Sequence, residues 1–138
     1  MIDEYLEKPY WVIDILPKQV PANSRGQYFK IEEYFLAHPQ KDIIRRKFAN
    51  ILVKLNCYDD IDVCYNLEEW YHNPTPEKLV MWTQEQKYLY VLLKSADAMI
   101  GITDDDHCMT LYNADEELLE LIRALAAAEG LYVWKPAL

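Results

Sequence analysis

The densest group of side chains able to hold a proton or a metal ion is Asp104-Asp105-Asp106-His107. Carboxylates are hard oxygen ligands and imidazole suits borderline divalent metals, so Asp104, Asp106 and His107 form a candidate cation set. Consecutive residues do not readily converge on one ion, and the glycine and ligand spacing of an EF-hand loop are missing. A solvated turn is therefore the expected role, and neither a metal nor another cofactor is expected. His38, His72 and His107 lie far apart, with no His-x-x-x-His or His-x-Glu pairing to scaffold a zinc hydrolase.

Nucleophilic catalysis finds no better support. The serines are Ser24 and Ser95, neither sits in a Gly-x-Ser-x-Gly turn, and Ser24 is better placed as a helix cap. Cys57, Cys64 and Cys108 are odd in number and lack Cys-x-x-Cys spacing. A reactive thiol needs a basic neighbour; His107 precedes Cys108, but adjacent strand residues point to opposite faces. Three buried thiols in a reducing compartment are expected. Glu32-Glu33, Glu68-Glu69 and Glu116-Glu117 are side-by-side pairs, whereas a general acid and base must face each other across a cleft. Gly26, Gly101 and Gly130 stand alone, so no phosphate-cradling loop can form from them. No catalytic residue is assigned, and the balance leans away from an enzyme.

Aromatic rings are the remaining candidates. Eleven tyrosines and four tryptophans include Trp70, Tyr71 and His72 beside the Asn73-Pro74-Thr75-Pro76 loop, with Trp82 close in sequence. Large amphipathic rings bury area with few rotors, so these four residues form a candidate binding patch. Filling the core of a small domain is the more expected role of these rings.

The formal net charge of −9 argues against nucleic acid, which needs a concentrated cationic surface. The basic residues that do cluster, Lys41, Arg45, Arg46, Lys47 and Lys54, are expected on the solvated face of a helix. Acidity otherwise favours solubility and, more weakly, a basic partner. Apolar runs such as Ala124–Ala128 are far shorter than the ~20 residues of a membrane span. The acidic Met1–Glu7 segment does not read as a signal peptide, so a cytoplasmic address is expected.

The elements that must position these groups are readable in part. Tyr10–Leu16 predicts a strand ending at Pro17. Ser24-Arg25-Gly26-Gln27 has the form of a capping box, and Tyr28, Ile31 and Phe35 follow at helical spacing to about Ala37. Pro39 can open a second helix with Ile44, Phe48, Ile51, Leu52 and Leu55 on its apolar face. Ile61–Tyr65 alternates as a strand, while Leu67–His72 fits no element. Thr75 caps a short helix to about Gln84. Tyr88–Leu93 reads as a buried central strand, and Ala98–Thr103 and His107–Tyr112 flank a hairpin turn at Asp104-Asp105-Asp106. A last helix is expected to be capped by Asn113 and stopped by Gly130, before a strand over Leu131–Trp134.

Hairpin turns imply antiparallel pairing, and helices with single apolar faces must cover a sheet. Residues 1–138 are thus expected to form a single α+β domain, a mostly antiparallel sheet of about four to six strands with about three to four helices largely on one face. The expected function is a non-catalytic protein-interaction module, an inhibitor- or immunity-like binder of a basic partner, or a self-associating dimer. The alternative is a small enzyme or ligand-binding protein with a pocket between sheet and helices, using His72, His107, Asp104 or Asp106.

Overall fold

Strand alternation decides which side chains go under the helices and which are left on the far side of the sheet. The structure, a computed structural model, describes residues 2–24 and 26–137. Its elements run α1 (Ile2–Leu6), β1 (Tyr10–Asp14), α2 (Gly26–Leu36), α3 (Gln40–Leu55), β2 (Asp62–Cys64), β3 (Tyr71–His72) and α4 (Pro76–Glu85). They continue with β4 (Tyr88–Leu93), a 3-10 turn at Lys94–Ala96, β5 (Ala98–Thr103), β6 (Met109–Tyr112), α5 (Glu116–Ala128) and β7 (Tyr132–Trp134). The strands form one antiparallel sheet in the order β3-β2-β4-β5-β6-β1-β7.

The class is α+β as expected, with more elements than the sequence suggests: seven strands and five α-helices among the described residues. The additions are short. A two-residue β3 and a five-residue α1 carry too few residues to show a period. The first and last strands are neighbours, with Ile13 opposite Val133.

One face of the sheet carries Ile13, Val63, Leu89, Val91, Leu93, Ala98, Ile100, Ile102, Met109 and Leu111 into the core. Phe48, Ile51, Leu52 and Leu55 of α3 meet them, with Leu79 and Trp82 of α4 and Leu118, Leu119 and Ile122 of α5. Burying each such side chain is worth roughly 1.5–3 kcal/mol. The opposite face carries the intervening residues, and the register lines up Tyr10, Tyr112 and Met99 in one row and Trp134, Val12, Thr110, Gly101 and Tyr90 in the next. A Cβ at Gly101 would lie 3.5 Å from the Tyr90 ring and 3.6 Å from that of Tyr112, ordinary van der Waals contact, so the two rings flank this position without requiring glycine.

Two local expectations are corrected. Asn113 does not cap α5; it has φ 63° and donates from its amide to the Asp97 carbonyl at 2.7 Å. Asp115 is the cap instead, its carboxylate accepting the Leu118 N–H at 2.8 Å. The helix starts later because Asn tolerates the left-handed conformation needed to turn out of β6. Gly130, with φ 74°, follows α5 as its spacing predicts. The capping box ahead of α2 includes Arg25, which lies outside the described residues.

The second correction concerns α3. Its basic residues are not simply a solvated face. Arg45 is buried and donates to the carbonyls of Thr83 and Thr103. Lys41 pairs with Asp104 at 2.6 Å and Lys54 with Glu129 at 3.2 Å. Arg46 is exposed. Lys41 and Arg45 tie α3 to the β5–β6 turn, and Lys54 ties it to the end of α5.

Replacing Asp115 with Ala should cost about 1 kcal/mol in denaturant unfolding, the usual loss for a helix cap. An unchanged midpoint would contradict its capping role.

Candidate functional site

Asp14 is a charged residue at the end of an otherwise apolar strand, and alternation places it on the sheet's far face beside Tyr132 of β7. Tyr28 and Glu32 lie four residues apart, hence on one side of α2, and the Tyr28 hydroxyl donates to Glu32 Oε2 at 3.3 Å. The β5–β6 turn brings in Asp106 and His107, with its first part clamped from below by Arg45 and Lys41. Three chain segments distant in sequence thereby converge.

His107 lies at the centre, only 4% exposed. Its Nε2 faces Asp14 Oδ1 at 3.4 Å, and its Nδ1 faces Glu32 Oε2 at 3.3 Å and Asp106 Oδ1 at 3.9 Å. Although two carboxylates stand this near, Nδ1 has no hydrogen bond of proper geometry among the described residues. The Trp134 indole N–H is likewise buried without an aligned partner, though it is close enough to Asp14 to favour that carboxylate.

These groups line a cleft of about 630 Å³ on the far face of the sheet, whose walls include Tyr10, Tyr28, Tyr112, Trp134, Asp105 and Asp106. No Lys or Arg of the described residues lines it. The cleft lies between the sheet and helices, with Leu6 of α1 and Tyr28 and Glu32 of α2 facing Val12, Thr110 and Tyr112 of the strands.

Burial dominates the protonation chemistry. It pushes the Asp14 carboxyl above its ordinary value, against the pull of His107, the Leu16 and Ile15 N–H groups and Trp134. Cys108 is pushed up by burial and then by Asp106, to which its thiol donates at 3.0 Å. Cys108 is therefore a neutral donor and a poor nucleophile. Tyr28 is raised by burial and then by Glu32.

Of the residues singled out in the turn, Asp106 and His107 enter the cluster, whereas Asp104 turns to Lys41. His107 and Cys108 both line the cleft, because residues 106–108 precede β6 and do not alternate as a strand. The cysteines are not uniformly buried: Cys64 is, Cys108 is half-buried, and Cys57 just past α3 is exposed. The aromatic patch lies toward the opposite, β3 edge of the sheet. There Tyr71 and Trp82 have ring centroids 5.1 Å apart and Tyr65 stacks on Tyr71 at 5.8 Å. Trp82 is buried, Trp70 half-buried and His72 exposed. His72 Nδ1 and Lys94 Nζ each reach Asp62 at 2.8 Å. Burial pushes Asp62 up, but those two partners together hold it below the usual carboxylate range.

Sequence reading misses Asp14, Tyr28, Glu32 and Trp134. The one available signal is Asp14 itself, an acid following Trp11-Val12-Ile13 where a strand is about to be buried.

A carboxyl raised on folding lends stability that is present below about pH 3.8, its ordinary value, and is lost as pH rises through its folded value. The Asp14→Asn variant should therefore gain on the wild type as pH increases above about 3.8, measured by denaturant unfolding at several pH values. A difference independent of pH would show that Asp14 carries no burial cost.

Compared with protein-family models, curated proteins and solved structures, the chain matches none of them, so its function is read from the chemistry of this cleft.

Proposed function

We propose that the protein is a non-catalytic interaction module whose acidic, aromatic cleft takes a cationic group from a basic protein partner. The observation that carries this reading is the convergence of Asp14, Glu32 and Asp106 on the floor of a cleft walled by tyrosines. Carboxylates attract a lysine or arginine head, and ring faces stabilise it further by cation–π contact, worth roughly 0.5–2 kcal/mol. The net charge of −9 would speed the encounter with a basic surface.

The flank of the cleft suits a protein better than a free amine. On α2, the helix that supplies Tyr28 and Glu32, Phe29 and Tyr34 stand 67% and 57% exposed. Exposed rings beside a charged recess resemble the anchors that dominate interface energetics. An inhibitor- or immunity-like role would follow if the bound cation belonged to a partner's working surface. The buried His107, flanked by carboxylates, favours a second reading as a small-ligand site or an enzyme using His107 as acid or base.

Titration of the chelator-treated protein with a lysine- and arginine-rich peptide, followed by calorimetry, tests the first reading. Binding should saturate, weaken as salt is raised, and fall about tenfold (~1.4 kcal/mol) in Glu32→Gln. An acidic peptide binding as well, or Glu32→Gln binding unchanged, would refute it.

A further inference from the structure

The unpartnered nitrogen of His107 points to a more specific occupant of the cleft floor. A neutral imidazole keeps its proton on one nitrogen and a lone pair on the other. If Nε2–H faces Asp14, Nδ1 presents that lone pair toward two carboxylates, which repel it. If Nδ1 is protonated instead, its N–H finds neither Glu32 nor Asp106 in line. Both arrangements leave a buried nitrogen without a partner among the described residues, at a cost that native structures rarely tolerate.

A divalent metal ion on the Nδ1 lone pair removes the conflict. We propose that His107 Nδ1, Glu32 Oε2 and Asp106 Oδ1 form a binding site for a first-row transition metal ion of the zinc class. Donor atoms from the three residues lie within 4.8 Å of one another. Two donors on one tetrahedral zinc, with bonds of about 2.0–2.2 Å, stand about 3.3–3.6 Å apart. The Nδ1–Glu32 separation of 3.3 Å meets this as it stands, and the 3.9 Å to Asp106 requires a contraction of a few tenths of an ångström. In such a site each oxygen lies off the axis of the nitrogen lone pair, which agrees with the absence of an aligned hydrogen bond to Glu32.

The surroundings fit as well. Asp14, 3.4 Å from Nε2, occupies the place of the outer carboxylate that fixes the tautomer and orientation of a ligating histidine. Two carboxylates balance the charge of a divalent ion. The imidazole selects against magnesium and calcium, which prefer all-oxygen shells. Three protein donors leave a fourth position facing the cleft, open to water or to a donor from a bound molecule. Asp104 is outside the site because Lys41 holds it.

This inference shares its residues with the proposed partner site but does not require a partner, so the two readings fail separately. The test is titration of the chelator-treated full chain with zinc chloride by calorimetry, with cobalt(II) absorption as a report on coordination. One saturable equivalent is expected, bound roughly tenfold or more weakly in His107→Gln and in Glu32→Gln, and unchanged in Asp104→Asn. Glu32 is half-exposed on α2, so its variant keeps the test decisive if His107→Gln fails to fold. Absence of saturable binding, or binding indifferent to Glu32→Gln, overturns the site. Binding of the basic peptide without binding of zinc would overturn this inference and leave the partner reading standing; zinc binding without peptide binding would do the reverse.

Discussion

A guanidinium cannot shed its proton, so burying Arg45 obliges the chain to surround it with acceptors. Burial depresses its basicity, and Asp104, Asp106 and Asp105 in turn restore part of it. The carbonyls of Thr83 and Thr103 take its N–H groups, which joins α3 to the end of α4 and to the end of β5. The part of the candidate site carried by the β5–β6 turn depends on this clamp. It fixes where the acidic turn leaves the sheet, and with Lys41 holding Asp104 on the helix side, Asp106 and His107 pass over to the far face. A buried charge of this kind is weak as a source of stability, since desolvation offsets much of the attraction. Its effect here is on position.

The far face shows the opposite balance. Under the helices, polar atoms are paired and apolar side chains interdigitate. In the cleft, Asp14 is buried against the grain of its charge, and neither His107 Nδ1 nor the Trp134 N–H has an aligned partner among the described residues. Groups that break the rules of packing together, and in a concave recess, mark where a fold has retained unfavourable local chemistry. A cation on the floor would satisfy Nδ1, neutralise Glu32 and Asp106, and leave Asp14 to hold the ring. The partner reading and the metal reading draw on this one electrostatic deficit.

How much of this was legible in the sequence follows from how local each signal is. The central strands, the hairpin at Asp104-Asp105-Asp106 and the last helix were legible because apolar period and turn residues sit together in the chain. β3 was not, since Tyr71 and His72 become a strand only by pairing with β2. The basic residues of α3 read as solvated because their partners are 38 to 75 positions away. Of the site, only the turn that carries Asp106 and His107 could be singled out. Glu32 looked like one of a pair of helix-surface acids, and Asp14 like the polar end of a strand. The cluster is a product of tertiary structure: β1, α2 and the β5–β6 turn meet there without sharing a motif.

Whether the cleft floor holds a positive charge through His107, Glu32 and Asp106 is decided by following the imidazole nitrogens by NMR while zinc, and separately the basic peptide, is added. A saturable change in the His107 nitrogens, largest at Nδ1, is expected, with His38 and His72 unaffected. His107 resonances that stay fixed while either cation binds elsewhere on the protein would contradict this role of the cleft floor.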